Sequence, residues 1–343
     1  MVLIWILLAL FILFLLLTGL AWMILQSVFG KRCEGNPNLT YFTADDFDGL
    51  TAKPVEFPSN KGQILRGNLY SHPDAAPYKA LLIFVHGMGG GHLSYTTEIN
   101  TLAKNGFLVL SYDQTGTCSS DGKNLGGFTQ GVLDLRAALR YAEASPDLSG
   151  YPVVLAGHSW GGYIVCQVLQ FSLKVKAVAA MSAFEEEAAL ICSLAGSRTG
   201  IPFGFLKPFF RLIQRIKFGN AANRKTSDIL RAANVPVLLL HGSRDTMVGF
   251  RYSAAARFSG KGETRLIKSV IYPEKYHNVY QSAESEQYLN QTFAEIAAKE
   301  KQYRGKLPPE EIKALYGGID YTKMTEEDPE VMKLVSDFLT EAL

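Results

Sequence analysis

The sequence is poor in the residues that most often hold metals or staple small secreted folds. It has four cysteines, Cys33, Cys118, Cys166 and Cys192, and six histidines. The cysteines are scattered, none forms a C-x-x-C pair, and no histidine stands at ligand spacing to them, which argues against a zinc site and against a disulfide scaffold. Cys166 reads as an ordinary core residue. Charge of one sign is also missing: 34 basic side chains face 32 acidic ones, for a net charge of +2. The signs are mixed throughout, so there is no nucleic-acid footprint. No internal repeat or low-complexity tract is evident. Residues 1–30 contain no charged side chain at all.

That uncharged stretch is almost continuously apolar, and about twenty such residues span a bilayer. Trp5 and Trp22 stand where interfacial aromatics sit. A cleaved signal peptide calls for a basic start and a shorter apolar core, and both are missing. Residues 1–30 are therefore predicted to be a single transmembrane anchor. Lys31 and Arg32 follow it directly, which places the rest of the chain in the cytoplasm by the positive-inside rule. The sequons Asn38-Leu39-Thr40 and Asn290-Gln291-Thr292 point the other way, but such tripeptides are common by chance. Residues 31–52 are polar and turn-rich and read as a tether.

A chain of 343 residues can bury a sizeable core, and residues 53–343 read as one large domain. Two extended runs flank Asn60-Lys61-Gly62 as an opening hairpin. Buried apolar runs then alternate with helical stretches: ALLIFVHG, FLVLSYD, YPVVLA, VKAVAAMSA, PVLLLHG and TRLIKSVIY. This alternation predicts an α/β fold, a doubly wound, mostly parallel sheet covered on both faces. Residues 185–226 interrupt the pattern and read as a short cap, opened by a capping box from Ser182 to Glu185. Its acidic run, Glu185 to Glu187, suits either a helix's first turn or the grip of a cationic amine. The basic amphipathic stretch from Phe203 to Gly219 suits packing on the domain or contact with lipid. Residues 281–327 read as an insertion before a final amphipathic helix from Asp328 to Leu343.

The chemistry centres on Gly157-His158-Ser159-Trp160-Gly161, set between a strand and a helix. A serine between two glycines at such a turn is the nucleophile elbow, so Ser159 is the candidate nucleophile. A serine hydroxyl needs a base held in the right tautomer by an acid. His277, in the loop after the last strand, has the position that the chain order Ser, Asp, His requires. Asp245, just past PVLLLHG, is the matching acid, with Asp113 as a weaker rival. His86 and His241 read as loop structure, His158 as too constrained to serve, His72 as a surface-loop residue and His92 as a helix start. The oxyanion hole needs two backbone N–H groups. Trp160, after the nucleophile, offers one, and Met88, in His86-Gly87-Met88-Gly89-Gly90-Gly91, offers the other.

The stretches FVHGMGG, SYDQTGTCSSDG, LAGHSWGG, PVLLLHGSRDTMV and YHN resemble the α/β-hydrolase superfamily, most closely its monoglyceride-lipase-like and serine-aminopeptidase-like branch. The resemblance implies the α/β-hydrolase fold, a triad of Ser159, Asp245 and His277, and no metal or organic cofactor. Family members often read D-x-R-G-x-G-x-S where this chain has Asp113-Gln114-Thr115-Gly116-Thr117-Cys118-Ser119, which loosens assignment to a subfamily. The expected activity is that of a membrane-anchored serine hydrolase cleaving lipid-like or small acyl esters, with the ester as its small-molecule partner. Phe203, Phe205, Phe209 and Phe210 of the cap are expected to bind the acyl chain. The alternatives are a peptidase or amidase on the same fold, or a catalytically silent binding protein.

Overall fold

In the computed structural model, which describes residues 1–262 and 264–343, the apolar runs become the strands of one sheet. Its strands are β1 (Thr51–Pro58), β2 (Ile64–Ser71), β3 (Ala80–Val85), β4 (Phe107–Tyr112), β5 (Val153–His158), β6 (Val175–Met181), β7 (Val237–Gly242) and β8 (Ile267–Tyr272). The spatial order is β1-β2-β4-β3-β5-β6-β7-β8. β1 pairs antiparallel with β2, and β2 with β4. From β4 to β8 every pairing is parallel. β3, β4 and β7 are buried along their whole length, as strands covered on both faces must be.

The long helices are α1 (Val2–Phe29), α2 (Thr96–Lys104), α3 (Phe128–Ala144), α4 (Trp160–Gln167), α5 (Glu187–Thr199), α6 (Lys207–Phe218) and α7 (Thr226–Ala232), then α8 (Ala283–Gln302), α9 (Pro309–Gly317), α10 (Tyr321–Met324) and α11 (Pro329–Glu341). One core packs Leu81, Ile83 and Leu155 of the sheet against α3 and α4 and extends to Leu206 and Phe210 beside the cap. The second core packs Leu82, Phe84 and Val154 against α2 and α11. Between β7 and β8 the chain makes two 3-10 turns, Phe250–Tyr252 and Ala255–Arg257.

α1 has 28 residues and a mean hydropathy of 3.0 over its most apolar window, long and apolar enough to cross a membrane. Residues 1–16 are exposed, whereas Ala21, Leu25 and Phe29 belong to the first core. Phe29 meets Phe128 edge-on at 4.8 Å, and Phe14 lies 5.7 Å from Phe209 of α6.

The segment expected to be a tether is docked on the domain. Arg32 donates to the carbonyls of Cys118, Ser120 and Gly122 at 2.7, 3.0 and 2.6 Å. Cys33 forms a parallel bridge with Thr117, and Asn36 donates to the Tyr316 hydroxyl of α9. Hydrogen bonding between backbones needs no apolar periodicity, so a polar, turn-rich composition does not reveal it. Arg32 thus serves the loop after β4 as well as the charge balance beside α1.

Three local expectations need correction. Ser182 is not a helix cap: its hydroxyl donates to the His277 carbonyl at 2.6 Å, and α5 begins only at Glu187. The acidic run neither greets an amine nor stays in a solvated first turn. Glu185 accepts from the Ser227 N–H and hydroxyl, Glu186 pairs with Lys207 and Arg211, and buried Glu187 accepts from Thr129, Tyr163 and Gln214. Glu187 thereby ties the cap to α3 and α4, while Glu186 pairs within the cap. His72 is buried, not on the surface, and bonds Asn100 at 2.8 Å.

Candidate active site

The order of the strands reverses between β3 and β5, and ligands of open α/β sheets bind at the carboxyl ends of strands at such a switch point. β3 runs into the loop from His86 to Gly91, and β5 runs into Ser159. The turn at Ser159 is sharp, with φ 57° and ψ −117°, a backbone state that costs an L-residue roughly 1–3 kcal/mol. Its neighbours must be glycine. A Cβ at Gly157 would stand 2.6 Å from the Gly161 carbonyl, and one at Gly161 only 1.9 Å from the Val85 oxygen. The strand, the turn and α4 can come together only without those two side chains.

The structure brings Ser159, His277 and Asp245 together. His277 Nε2 lies 2.9 Å from Ser159 Oγ, and His277 Nδ1 lies 2.8 Å from Asp245 Oδ2. Asp245 is buried, and burial alone would raise its carboxyl; the His277 hydrogen bond and charge, with the Val248 N–H, outweigh this and hold it below the ordinary carboxylate value. Met247 and Val248 both donate to Oδ1 at 2.8 Å. An ionised Asp245 accepts only, so His277 carries its proton on Nδ1 and presents a bare Nε2 to the Ser159 hydroxyl.

Trp160, the first residue of α4, is buried, and its indole donates to the Phe128 carbonyl at 3.0 Å. Its backbone N–H is in the first turn, where a helix leaves donors free. Met88 lies in the glycine-rich loop with its side chain 42% exposed. A Cβ at Gly87, next to Met88, would lie 3.3 Å from Ser159 Cβ, so this loop passes directly over the serine.

The rival acid is committed elsewhere. Asp113 Oδ1 accepts from the His92 N–H and pairs with His92 Nδ1, while Oδ2 accepts from the Ser119 N–H and hydroxyl. Burial pushes Asp113 up, but His92, His86 and Ser119 hold it far below the ordinary value. Gln114 bonds His86 through both its backbone and its side chain. His241 donates to the Val248 carbonyl and stays near Asp245 at 3.7 Å.

Two positioning groups escape a reading of the sequence. The His277 carbonyl accepts from Ser182 Oγ and from His158 Nε2 at 3.0 Å. Burial, then the neighbouring His277 charge, pushes His158 down to about 3, so its ring is neutral. With Nε2 donating, Nδ1 accepts from the Tyr95 hydroxyl at 2.9 Å, and Tyr95 accepts from the Gly87 N–H at 3.1 Å. One hydrogen-bonded chain thus joins the glycine loop to the backbone of His277. Tyr95 carries no motif; a histidine inside the elbow was the one available hint.

A cavity of about 650 Å³ opens from this loop, bounded by Gly87, Met88, Gly89, Gly90 and Asn278 at the site and by residues of the segment 33–42 and of α8 and α10. None of the cap phenylalanines borders it. Phe210 is fully buried in the first core, and Phe209 packs against Phe14. The expected acyl surface is therefore not at this cavity: Phe210 lies in the core, Phe209 on α1, and Phe205 is exposed.

Residues 76–189 match the hydrolase family model described as serine aminopeptidase, S33. The matched stretch holds the glycine loop and the elbow and stops short of Asp245 and His277. The esterase Pf2001 of Pyrococcus furiosus is similar in structure, with a TM-score of 0.55 and 18% identity over 79% of this chain and 98% of that one. The chain has the α/β-hydrolase fold. Another similar structure is the α/β hydrolase GrgF from Penicillium sp. sh18, with a TM-score of 0.51 and 16% identity over 71% of this chain and 97% of that one. At such identities the likeness is one of fold. No curated protein matches the chain.

Proposed function

We propose that this α/β hydrolase is a membrane-anchored serine esterase that cleaves carboxylic esters through an acyl-enzyme on Ser159. The observation that carries the reading is the His277 ring held between Ser159 Oγ and Asp245, at 2.9 and 2.8 Å. His277 takes the Ser159 proton as Oγ adds to the ester carbonyl, and Asp245 stabilises the imidazolium that forms. The N–H groups of Met88 and Trp160 receive the oxyanion. Collapse expels the alcohol, protonated by His277. A water that gives its proton to His277 then adds to the acyl carbon, and release of the acid restores the Ser159 hydroxyl.

The family match favours a second reading, the cleavage of aminoacyl amides. Ester cleavage is supported over it by charge: the residues around the 650 Å³ cavity include no Asp or Glu to meet a substrate amine, and Glu185, Glu186 and Glu187 are engaged within the cap. The anchor is supported by Leu25 and Phe29, since cleavage after α1 would strip them from the core. The cytoplasmic placing of the domain rests on Lys31 and Arg32 and is checked by protease protection in intact cells.

Fluorophosphonate labelling tests the serine. The purified protein is expected to be labelled and to turn over p-nitrophenyl esters, and Ser159→Ala to lose both, turnover by several orders of magnitude. Unchanged labelling of the alanine variant would sink the reading. Faster cleavage of aminoacyl amides than of esters would move the assignment to the peptidase.

A further inference from the structure

We propose that the acyl chain of the substrate binds in the cavity between the segment 33–42 and the helices α8 and α10, and that this cavity selects medium- and long-chain esters. The proposal rests on the esterase reading above and deepens it. The cavity, of about 650 Å³, is within the range of roughly 300–1,000 Å³ typical of ligand sites. It lies beside the reacting centre: Gly87, which packs on Ser159, and Asn278, which follows His277, both border it. Its apolar lining is Leu39, Phe42, Leu93, Leu289, Phe293 and Met324.

Its surroundings also say what does not enter. None of the residues bordering the cavity is Asp, Glu, Lys, Arg or His. A carboxylate, phosphate or ammonium group drawn inside would lose its water with no counter-charge to replace it. A neutral hydrocarbon chain suffers no such loss. The cap gives no rival binding surface, because Phe210 is buried and Phe209 lies on α1, leaving Phe205 at 52% exposure facing solvent. Most of this lining comes from segments outside the repeating strand–helix pattern, so the chain-length preference belongs to the additions to the fold.

The test uses the full chain in phospholipid nanodiscs, with p-nitrophenyl esters from acetate to laurate and, in parallel, alkyl acetates of rising alcohol length. Each buried methylene raises specificity by at most about fourfold, so kcat/KM for laurate is expected to exceed that for acetate at least tenfold. Leu289→Trp, which fills part of the cavity, is expected to cut the laurate-to-acetate ratio at least tenfold. Phe205→Ala is expected to leave that ratio unchanged. Leu93→Trp replaces Leu289→Trp if the latter fails to fold by its thermal midpoint. A flat profile, a ratio moved by Phe205→Ala and not by the filling variant, or a preference that follows the alcohol chain would overturn the proposal. If no ester is turned over, the esterase reading fails by itself. Fluorescence titration with the uncharged methyl ester of dansylundecanoic acid then decides the cavity: binding weakened at least tenfold by Leu289→Trp supports it, and equal binding rejects it.

Discussion

Asp113 and Asp245 each leave a strand near a histidine, yet their partners assign them different work. Asp245 spends one oxygen on two backbone N–H groups and offers the other to His277. Asp113 spends both oxygens on His92 and Ser119. Asp245→Asn keeps the shape but holds His277 in the wrong tautomer, and turnover is expected to fall about 10⁴-fold, as in the serine proteases, with the thermal midpoint within a few degrees. Asp113→Asn is expected to do the reverse: turnover falls far less, while stability drops by about 1–3 kcal/mol because buried donors lose an acceptor. Steady-state kinetics and thermal melts of the two variants check this, and a crippled Asp113→Asn with a mild Asp245→Asn would transfer the acid to the earlier strand. At this scale the elbow is legible because its glycines are enforced by contacts under 3 Å with the backbone. Ser182 and Tyr95 are not legible, because a serine at a strand end and a tyrosine at a helix start each have many bland uses.

Among the elements, α2 meets the turn before α11 through two acids. Glu98 is buried, and Glu327 is half-buried with its Oε1 shielded from solvent. Burial raises Glu327 from 4.5 to about 7, against a hydrogen bond from Thr101. Burial, then the charge of Glu327, raises Glu98 well above its ordinary value. The folded state holds protons on this pair that the unfolded chain releases, so the pair's contribution to stability is greatest at acid pH and falls as pH climbs from about 4.5 through about 7. The thermal midpoint is expected to be higher near pH 5.5 than near pH 8. Glu327→Gln, which mimics the protonated acid, should narrow that difference and melt above the parent at the higher pH. A midpoint indifferent to pH in both proteins would refute this pair. Such pairings join segments more than 200 residues apart, and neither alternation nor capping signals record them. The same holds for the cavity: it is bordered by residues 33–42 and by α8 and α10, whose sequences read separately as a tether and an insertion of unknown use. Strand alternation reads well because each run is buried by its immediate neighbours.

For the molecule as a whole, the division between anchor and domain falls inside α1. Removal of residues 1–35 takes Ala21, Leu25 and Phe29 out of the first core and uncovers Phe128, which packs at 6.0 Å from Trp160. Loss of the buried Phe29 alone is worth about 3–5 kcal/mol, so the shortened protein is expected to melt roughly 5–10 °C lower. Removal of residues 1–16 leaves those contacts in place and should leave the midpoint near that of the full chain. Equal melting of both truncations would return the boundary to Gly30, and comparison of the two in detergent by calorimetry checks it. On the proposed anchoring by α1, one end of the helix is part of the core, so packing and not a loose tether would set the height of Ser159 above the bilayer. A substrate dissolved in the same leaflet is then met by diffusion in a plane, and its mole fraction among the lipids, not its concentration in the water, sets how often the serine is visited.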